Sequence, residues 1–168
     1  MSAAKSIDIG DTIPPFSLED QNGKIFDVED YIGKKKLVIF FYPRDGSLNC
    51  TKQACYFRDI YDVFEEVGAE VIGISEQSVE SHLHFSRTNN LNYRILSDPD
   101  NTVRNRFGVQ SKLFGLIAGR VTFVSDISGK IVYKLDSQTN IQRHVDEALK
   151  ICLVLKRANN GIEVDSGA

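Results

Sequence analysis

The 168-residue sequence has no tryptophan, a single methionine, four prolines and only three cysteines. Three is an odd number and a low density for cysteine. It excludes the disulfide-braced scaffold of a small secreted domain and points to a reducing compartment, where thiols react rather than brace. An excess of one charge is also missing: 20 Lys and Arg stand against 23 Asp and Glu, a formal net charge of −3. There is no electrostatic footprint for nucleic acid or for an anionic membrane. Long apolar runs are absent too. The longest, Leu37 to Tyr42, fits one buried strand and falls far short of the roughly 20 residues that cross a bilayer. The N-terminus, MSAAKSIDIGD, lacks the apolar stretch of a secretory signal. The expected location is the cytoplasm, or an organelle if a transit peptide has been removed.

What is present is an ordinary globular composition, 42% hydrophobic and 26% charged, in the length of one domain. A single domain over 1–168 is expected, with about 158–168 as a flexible, solvated tail. Phe16-Ser17-Leu18 and Lys24-Ile25-Phe26 flank Asn22-Gly23, the signature of a tight hairpin. Lys36 to Tyr42, ended by Pro43, reads as a central strand covered on both faces. Apolar residues at Phe57, Ile60, Tyr61, Phe64 and Val67 predict one helix from about Cys50 to Val67, stopped by Gly68. Further strands are predicted over Glu70–Ser75 and Tyr93–Ser97, and helices over Val79–Thr88 and Thr102–Phe107. A hairpin over Val121–Ser125 and Lys130–Leu135 leads to a last helix over about Gln138–Lys156. Strands that alternate with helices early and pair as a hairpin late imply one mixed α/β sheet flanked by helices.

Two of the cysteines lie in FYPRDGSLNCTKQACYFRD, Phe41 to Asp59. Cys50 sits where the helical pattern begins, and the unpaired N–H groups and partial positive charge of a helix start favour a thiolate over a thiol. Ser47 and Asn49 are candidate caps that would order the turn around the sulfur. A lone free cysteine is commonly no more than a small buried hydrophobe; a second cysteine and a turn of Pro, Ser and Asn tip the reading towards chemistry. Cys55 follows five positions later. On an intact helix that spacing places the Cα atoms about 8.7 Å apart, beyond the roughly 7 Å a disulfide tolerates. The pair is therefore a poor staple. As a two-step reagent it works: one thiolate is oxidised to a sulfenic acid, and the other condenses with it after the helix opens.

This segment resembles the active-site segment of the peroxiredoxins, specifically the bacterioferritin comigratory protein or peroxiredoxin Q group. The family pattern of a proline, a Thr or Ser four positions on, and the peroxidatic cysteine three positions after that reads here as Pro43, Ser47 and Cys50. The resemblance implies that Cys50 is peroxidatic and that Cys55 resolves it. It extends to IGDTIPPFSLEDQNGK, YRILSD and GRVTFVSDISGKIVY, covering roughly residues 7 to 150. In the last of these the family places an arginine beside the peroxidatic sulfur; Arg120 is the match. The implied fold is thioredoxin-like, with an N-terminal β-hairpin. The implied activity is thiol-dependent reduction of hydrogen peroxide and organic hydroperoxides, with no cofactor or metal. Thioredoxin or a similar dithiol is the implied donor, and a monomer is the expected state. Where the group has Thr-Pro-Gly before the cysteine, this chain has Ser47-Leu48-Asn49, which alters the stiffness of the turn while keeping a hydroxyl.

Ionising a thiol fully at neutral pH contributes at most about 2 kcal/mol, against the roughly 8 kcal/mol or more that enzymes supply. The remainder must come from groups matched to charge growing on the departing oxygen. Arg120, permanently charged, is the first candidate, with the Ser47 hydroxyl and the N–H groups of Leu48 to Cys50 completing the cradle and Pro43 shielding the sulfur. Cys152 lies on the apolar face of the last helix with Val145 and Leu149 and reads as structural. His82, His84 and His144 read as ordinary surface or half-buried residues. Leu113, Phe114, Leu116 and Ile117 form an apolar patch that reads as a groove for an organic substrate, a partner contact, or core. Two rival functions remain: a thiol–disulfide oxidoreductase, which would want C-x-x-C and a proline before the closing hairpin, where this chain has Gly119-Arg120-Val121; and a redox sensor that reacts once without turnover.

Overall fold

A computed structural model describes residues 6–112 and 114–166, with side chains described through Arg157. Its centre is β3 (Lys36–Phe41), six residues all buried. Lys36 is tolerated there because its Nζ donates to Val67 O at 2.6 Å. Around β3 lie β1 (Ser17–Asp20), β2 (Ile25–Asp27), β4 (Ala69–Ser75), β5 (Arg94–Ser97), β6 (Val121–Ser125) and β7 (Ile131–Asp136). Their spatial order is β2-β1-β5-β4-β3-β6-β7. β3, β4 and β5 run parallel, while β6 joins β3 and β1 joins β5 antiparallel. This is the mixed sheet expected, with the hairpin β1–β2 at one edge.

Alternation along β3 sends Val38 and Phe40 to one face and Leu37, Ile39 and Phe41 to the other, and each set seeds its own apolar cluster. The first face is covered by α1 (Leu48–Asp59), α2 (Tyr61–Glu66), α3 (Val79–Thr88) and α5 (Ile141–Ser166). The second is covered by α4 (Thr102–Phe107) and the chain around Ile13 and Phe16. Gly73, in the middle of β4, is needed for this packing. A Cβ there would meet Phe40 Cζ at 2.8 Å, and the Phe40 ring must lie where it does to stack on Phe57 of α1, centroids 4.6 Å apart. That stack fastens the second half of α1 to the sheet.

The structure departs from the sequence reading at several boundaries. The helix expected from Cys50 to Val67 is two, broken at Ile60 (φ −121°, ψ 17°); the turn lets Tyr61 donate to Glu70 Oε1 at 2.9 Å. The opening hairpin has a four-residue loop rather than a two-residue turn, because the Asp20 carboxylate accepts from the amides of both Asn22 and Lys24. The last helix begins at Ile141, after Ser137 Oγ has accepted from Asn140 N, and continues to Ser166 through most of the stretch read as a tail. Residues 167 and 168 lie outside the described residues.

Candidate active site

Phe41 and Val121 make the last rung between β3 and β6. Beyond it one chain turns through Pro43 to Ser47 and enters α1, while the other arrives through Gly119 and Arg120. The site lies in the opening between them. Ser47 is the N-cap of α1: its Oγ accepts from Cys50 N at 3.4 Å and donates to Arg44 O at 3.3 Å. The hydroxyl is thus committed to the backbone rather than to the sulfur, and so is the Cys50 N–H. Only the N–H groups of Leu48 and Asn49 remain without an intrahelical partner. Pro43 is half-buried at the mouth of the turn.

The turn is held from the other side by Asp45. Its carboxylate accepts from Tyr42 OH at 2.6 Å and Ser81 Oγ at 2.8 Å, and lies 2.7 Å from His82 Nδ1. Burial alone would raise the Asp45 carboxyl; the hydrogen bond and charge of His82, with those of Tyr42 and Ser81, outweigh it and hold the group below its ordinary value. His82 Nε2 faces Leu96 O at 3.0 Å. Far from being a surface residue, His82 is fully buried and ties α3 to the turn. His84 is exposed.

Cys50 is 1% exposed and Arg120 3%. Across the opening, Arg120 Nη2 donates to Cys50 Sγ at 3.3 Å. Nη1 donates to Gln53 Oε1 and Nε to Gln138 O. Of the five N–H bonds of a guanidinium, those three are used, leaving one on each terminal nitrogen for a bound oxygen. Gln53 was not singled out from the sequence, although it stands one helical turn after Cys50 and so must share its face. It is fully buried, and its Nε2 has no partner among the described residues. Gln138, whose Nε2 donates to Ala118 O at 3.0 Å, had no local signal.

Behind Arg120 lies His144, also fully buried rather than superficial. Its Nε2 donates to Ser137 O at 2.7 Å and its Nδ1 accepts from Thr122 Oγ1 at 2.7 Å, the pattern of a neutral ring. Burial is the main cause that brings its pKa down from 6.5 to about 4; the Ser137 bond opposes this and the Arg120 charge assists it. The unfolded chain therefore takes up a proton below about pH 6.5 that the folded one refuses until about pH 4. This stability is present above 6.5 and lost as pH falls between the two values, by at most about 3 kcal/mol. Urea unfolding at pH 7 and pH 4.5 should show the loss, and His144→Gln should flatten it; an equal loss in the variant would contradict this origin.

Cys55 is half-buried on another side of α1, its Sγ donating weakly to Asn89 Oδ1 at 3.8 Å. Asn89 also lines a cleft of about 300 Å³ between the start of α1 and α3, with Asp45, Thr51 and Phe85. All three cysteines are free thiols, and with α1 intact the two on it do not meet. Cys152 is sealed in the apolar cluster, where burial pushes its thiol up to about 11. Of the apolar patch, Phe114, Leu116 and Ile117 are exposed and not core; Leu113 lies outside the described residues. The structure thus brings together Cys50, Arg120, Ser47 and Pro43, adds Gln53 and Gln138, and leaves Cys55 apart.

The family model of AhpC/TSA matches residues 9–134. Chloroplastic peroxiredoxin Q of Sedum lineare is 45% identical over 147 residues, 88% of this chain and 78% of that protein. The crystal structure of peroxidoxin BcpB from Mycobacterium tuberculosis superposes with a TM-score of 0.79 at 36% identity, covering 89% of this chain and 96% of the other. The bacterioferritin comigratory protein of Xanthomonas campestris, described for its alkyl peroxide reduction activity, superposes with a TM-score of 0.77 at 25% identity, over 84% and 92% of the two chains.

Proposed function

The chain belongs to the AhpC/TSA family, among the peroxiredoxins of the Q type that reduce peroxides with a thiol, and on that premise we propose that Cys50 attacks the peroxide and Cys55 resolves the product. The observation that carries this is the Arg120 guanidinium 3.3 Å from the Cys50 sulfur, with both groups almost wholly buried. A cation there stabilises sulfur in its anionic form. Its two uncommitted N–H bonds are available to the oxygens of a peroxide beside the sulfur.

In the first step the Cys50 thiolate attacks the nearer oxygen of ROOH. The O–O bond breaks, Cys50 keeps the attacked oxygen with its hydrogen as a sulfenic acid, and the departing RO⁻ takes a proton from water to leave as ROH. Negative charge moves from sulfur to the departing oxygen, so a guanidinium spanning both stabilises the transition state without having to relocate. In the second step the Cys55 thiol displaces water from the sulfenic sulfur to form a disulfide. Helical geometry forbids that bond while α1 stands, since the Cα atoms are about 8.7 Å apart. The first turns must unwind as far as Ala54, while Phe57 stays stacked on Phe40. Oxidation aids the unwinding, because a neutral sulfenic acid no longer holds Arg120 as a thiolate does.

Cys55→Ser is expected to consume one equivalent of peroxide at the normal rate and then stop. Full turnover with a dithiol donor in that variant would assign resolution to another thiol. The proposed donor is thioredoxin, and both cysteines lying on one helix supports a functional monomer. An NADPH-linked assay with thioredoxin or glutaredoxin in turn distinguishes the donors, and sedimentation gives the mass. Turnover beyond one equivalent also rejects a sensor that reacts once. The Sedum relative is named for the chloroplast, which supports an organelle over the cytoplasm; a fluorescent fusion of the full-length protein decides between them.

A further inference from the structure

Past the last rung of the β3–β6 ladder, no strand pairing holds together the two segments that carry the site. Their outgoing carbonyls are Tyr42 O, just before Pro43, and Gly119 O, just before Arg120. Both accept from one nitrogen, Arg104 Nη2, at 3.5 and 3.3 Å. Arg104 belongs to α4, on the sheet face opposite α1, and is 5% exposed. The helix delivering it is pinned at its start: the Asp98 carboxylate accepts from the backbone amides of Val103 and Arg104 at 3.2 and 2.9 Å.

This is a costly way to fill the space. Among the described residues no carboxylate lies within ion-pair distance of the guanidinium, and its Nη1 is buried without a partner. An aliphatic side chain would pack beside Val103 and Phe107 with no buried charge to desolvate. What the guanidinium supplies is a terminal nitrogen with two N–H bonds held in a fixed plane at the end of a long side chain, here serving two carbonyls from different strands.

The geometry points to Arg104 as a positioning residue: by bridging the Tyr42 and Gly119 carbonyls it sets the separation of the Cys50 sulfur and the Arg120 guanidinium. It touches neither sulfur nor substrate and acts through Arg120. This rests on the reading of Cys50 as the peroxide-reactive thiol.

The test compares the wild type with Arg104→Met and Arg104→Lys in three measurements: stopped-flow oxidation of Cys50 by hydrogen peroxide, alkylation of Cys50 by iodoacetamide, and thermal unfolding. Alkylation needs the thiolate alone, whereas peroxide needs Arg120 placed on the departing oxygen. For Arg104→Met, peroxide oxidation slower by at least tenfold is expected in the folded protein. The melting temperature is read separately, because relief of the buried charge and loss of the two carbonyls' donor act in opposite directions. The ratio of peroxide to iodoacetamide rates should fall at least fivefold. Arg104→Lys keeps the charge on a shorter stem without the planar fork and should fall between. A rate for Arg104→Met within twofold of wild type, or a loss shared equally by both reagents, overturns the inference. If Arg104→Met does not fold, Arg104→Lys decides: a threefold or greater fall in the ratio supports the role, and an unchanged ratio overturns it. A wild type whose Cys50 does not react with peroxide overturns the underlying reading instead.

Discussion

Arg120→Met leaves the protein folded and slows oxidation of Cys50 by hydrogen peroxide about a hundredfold or more, the scale expected when a preorganised donor is removed from a transition state. Two effects act together. The sulfur loses the donor at 3.3 Å that stabilises its charge, and the departing oxygen loses the two N–H bonds left free once Cys50, Gln53 and Gln138 are served. Stability should also fall, by about 1–3 kcal/mol, because Gln53 Oε1 is left buried without its donor. That loss is read separately from the melting temperature and accounts for none of the rate of the folded fraction. Arg120→Lys keeps the charge but has one nitrogen where three are used, so an intermediate rate is expected. A rate for Arg120→Met within fivefold of wild type would remove Arg120 from the chemistry.

Cys50→Ser abolishes peroxide reduction altogether. A serine hydroxyl stays protonated at neutral pH, and neither remaining thiol can take over. Cys55 Sγ donates weakly to Asn89 Oδ1, and the nearby Arg58 guanidinium is committed to Asn89 O and the Asp59 carboxylate rather than to its sulfur. Cys152, with its thiol pushed up to about 11, is ionised to about one part in ten thousand at pH 7 and is walled in by Val145, Ala148 and the sheet. Peroxide consumption by Cys50→Ser at more than one per cent of the wild-type rate would show a second reactive thiol. The substitution should cost little stability, since Ser47 caps the backbone amide at position 50 and not the sulfur.

These expectations draw unequally on the sequence and the structure. The placing of Pro43 after the strand, Ser47 at the helix cap and Cys50 and Cys55 on one helix was legible because they lie on one continuous segment, where a strand end and a helix start fix their relation. The strands were legible for a similar local reason: an unbroken apolar run such as Leu37 to Tyr42 has few other uses. Gln53 was legible in principle, at one helical turn from Cys50, yet a glutamine on a helix carries no mark of burial. Its meaning comes from Arg120, 67 residues away. The burial of His82 and His144 was invisible for the same reason, since their partners Asp45, Leu96, Thr122 and Ser137 sit on other elements. The break at Ile60 was hidden because the apolar period continues across it: Phe57 and Phe64 enter the same cluster from two helices.

Mass spectrometry of the reduced protein after one equivalent of hydrogen peroxide, digested under acid to prevent thiol exchange, tests the central claim most directly. The expected product is a single peptide carrying an intramolecular bond between Cys50 and Cys55, with Cys152 unmodified and hydrogen exchange raised over residues 48–54. A product in which Cys50 remains a free thiol, or is joined to Cys152 while α1 keeps its protection, would contradict it.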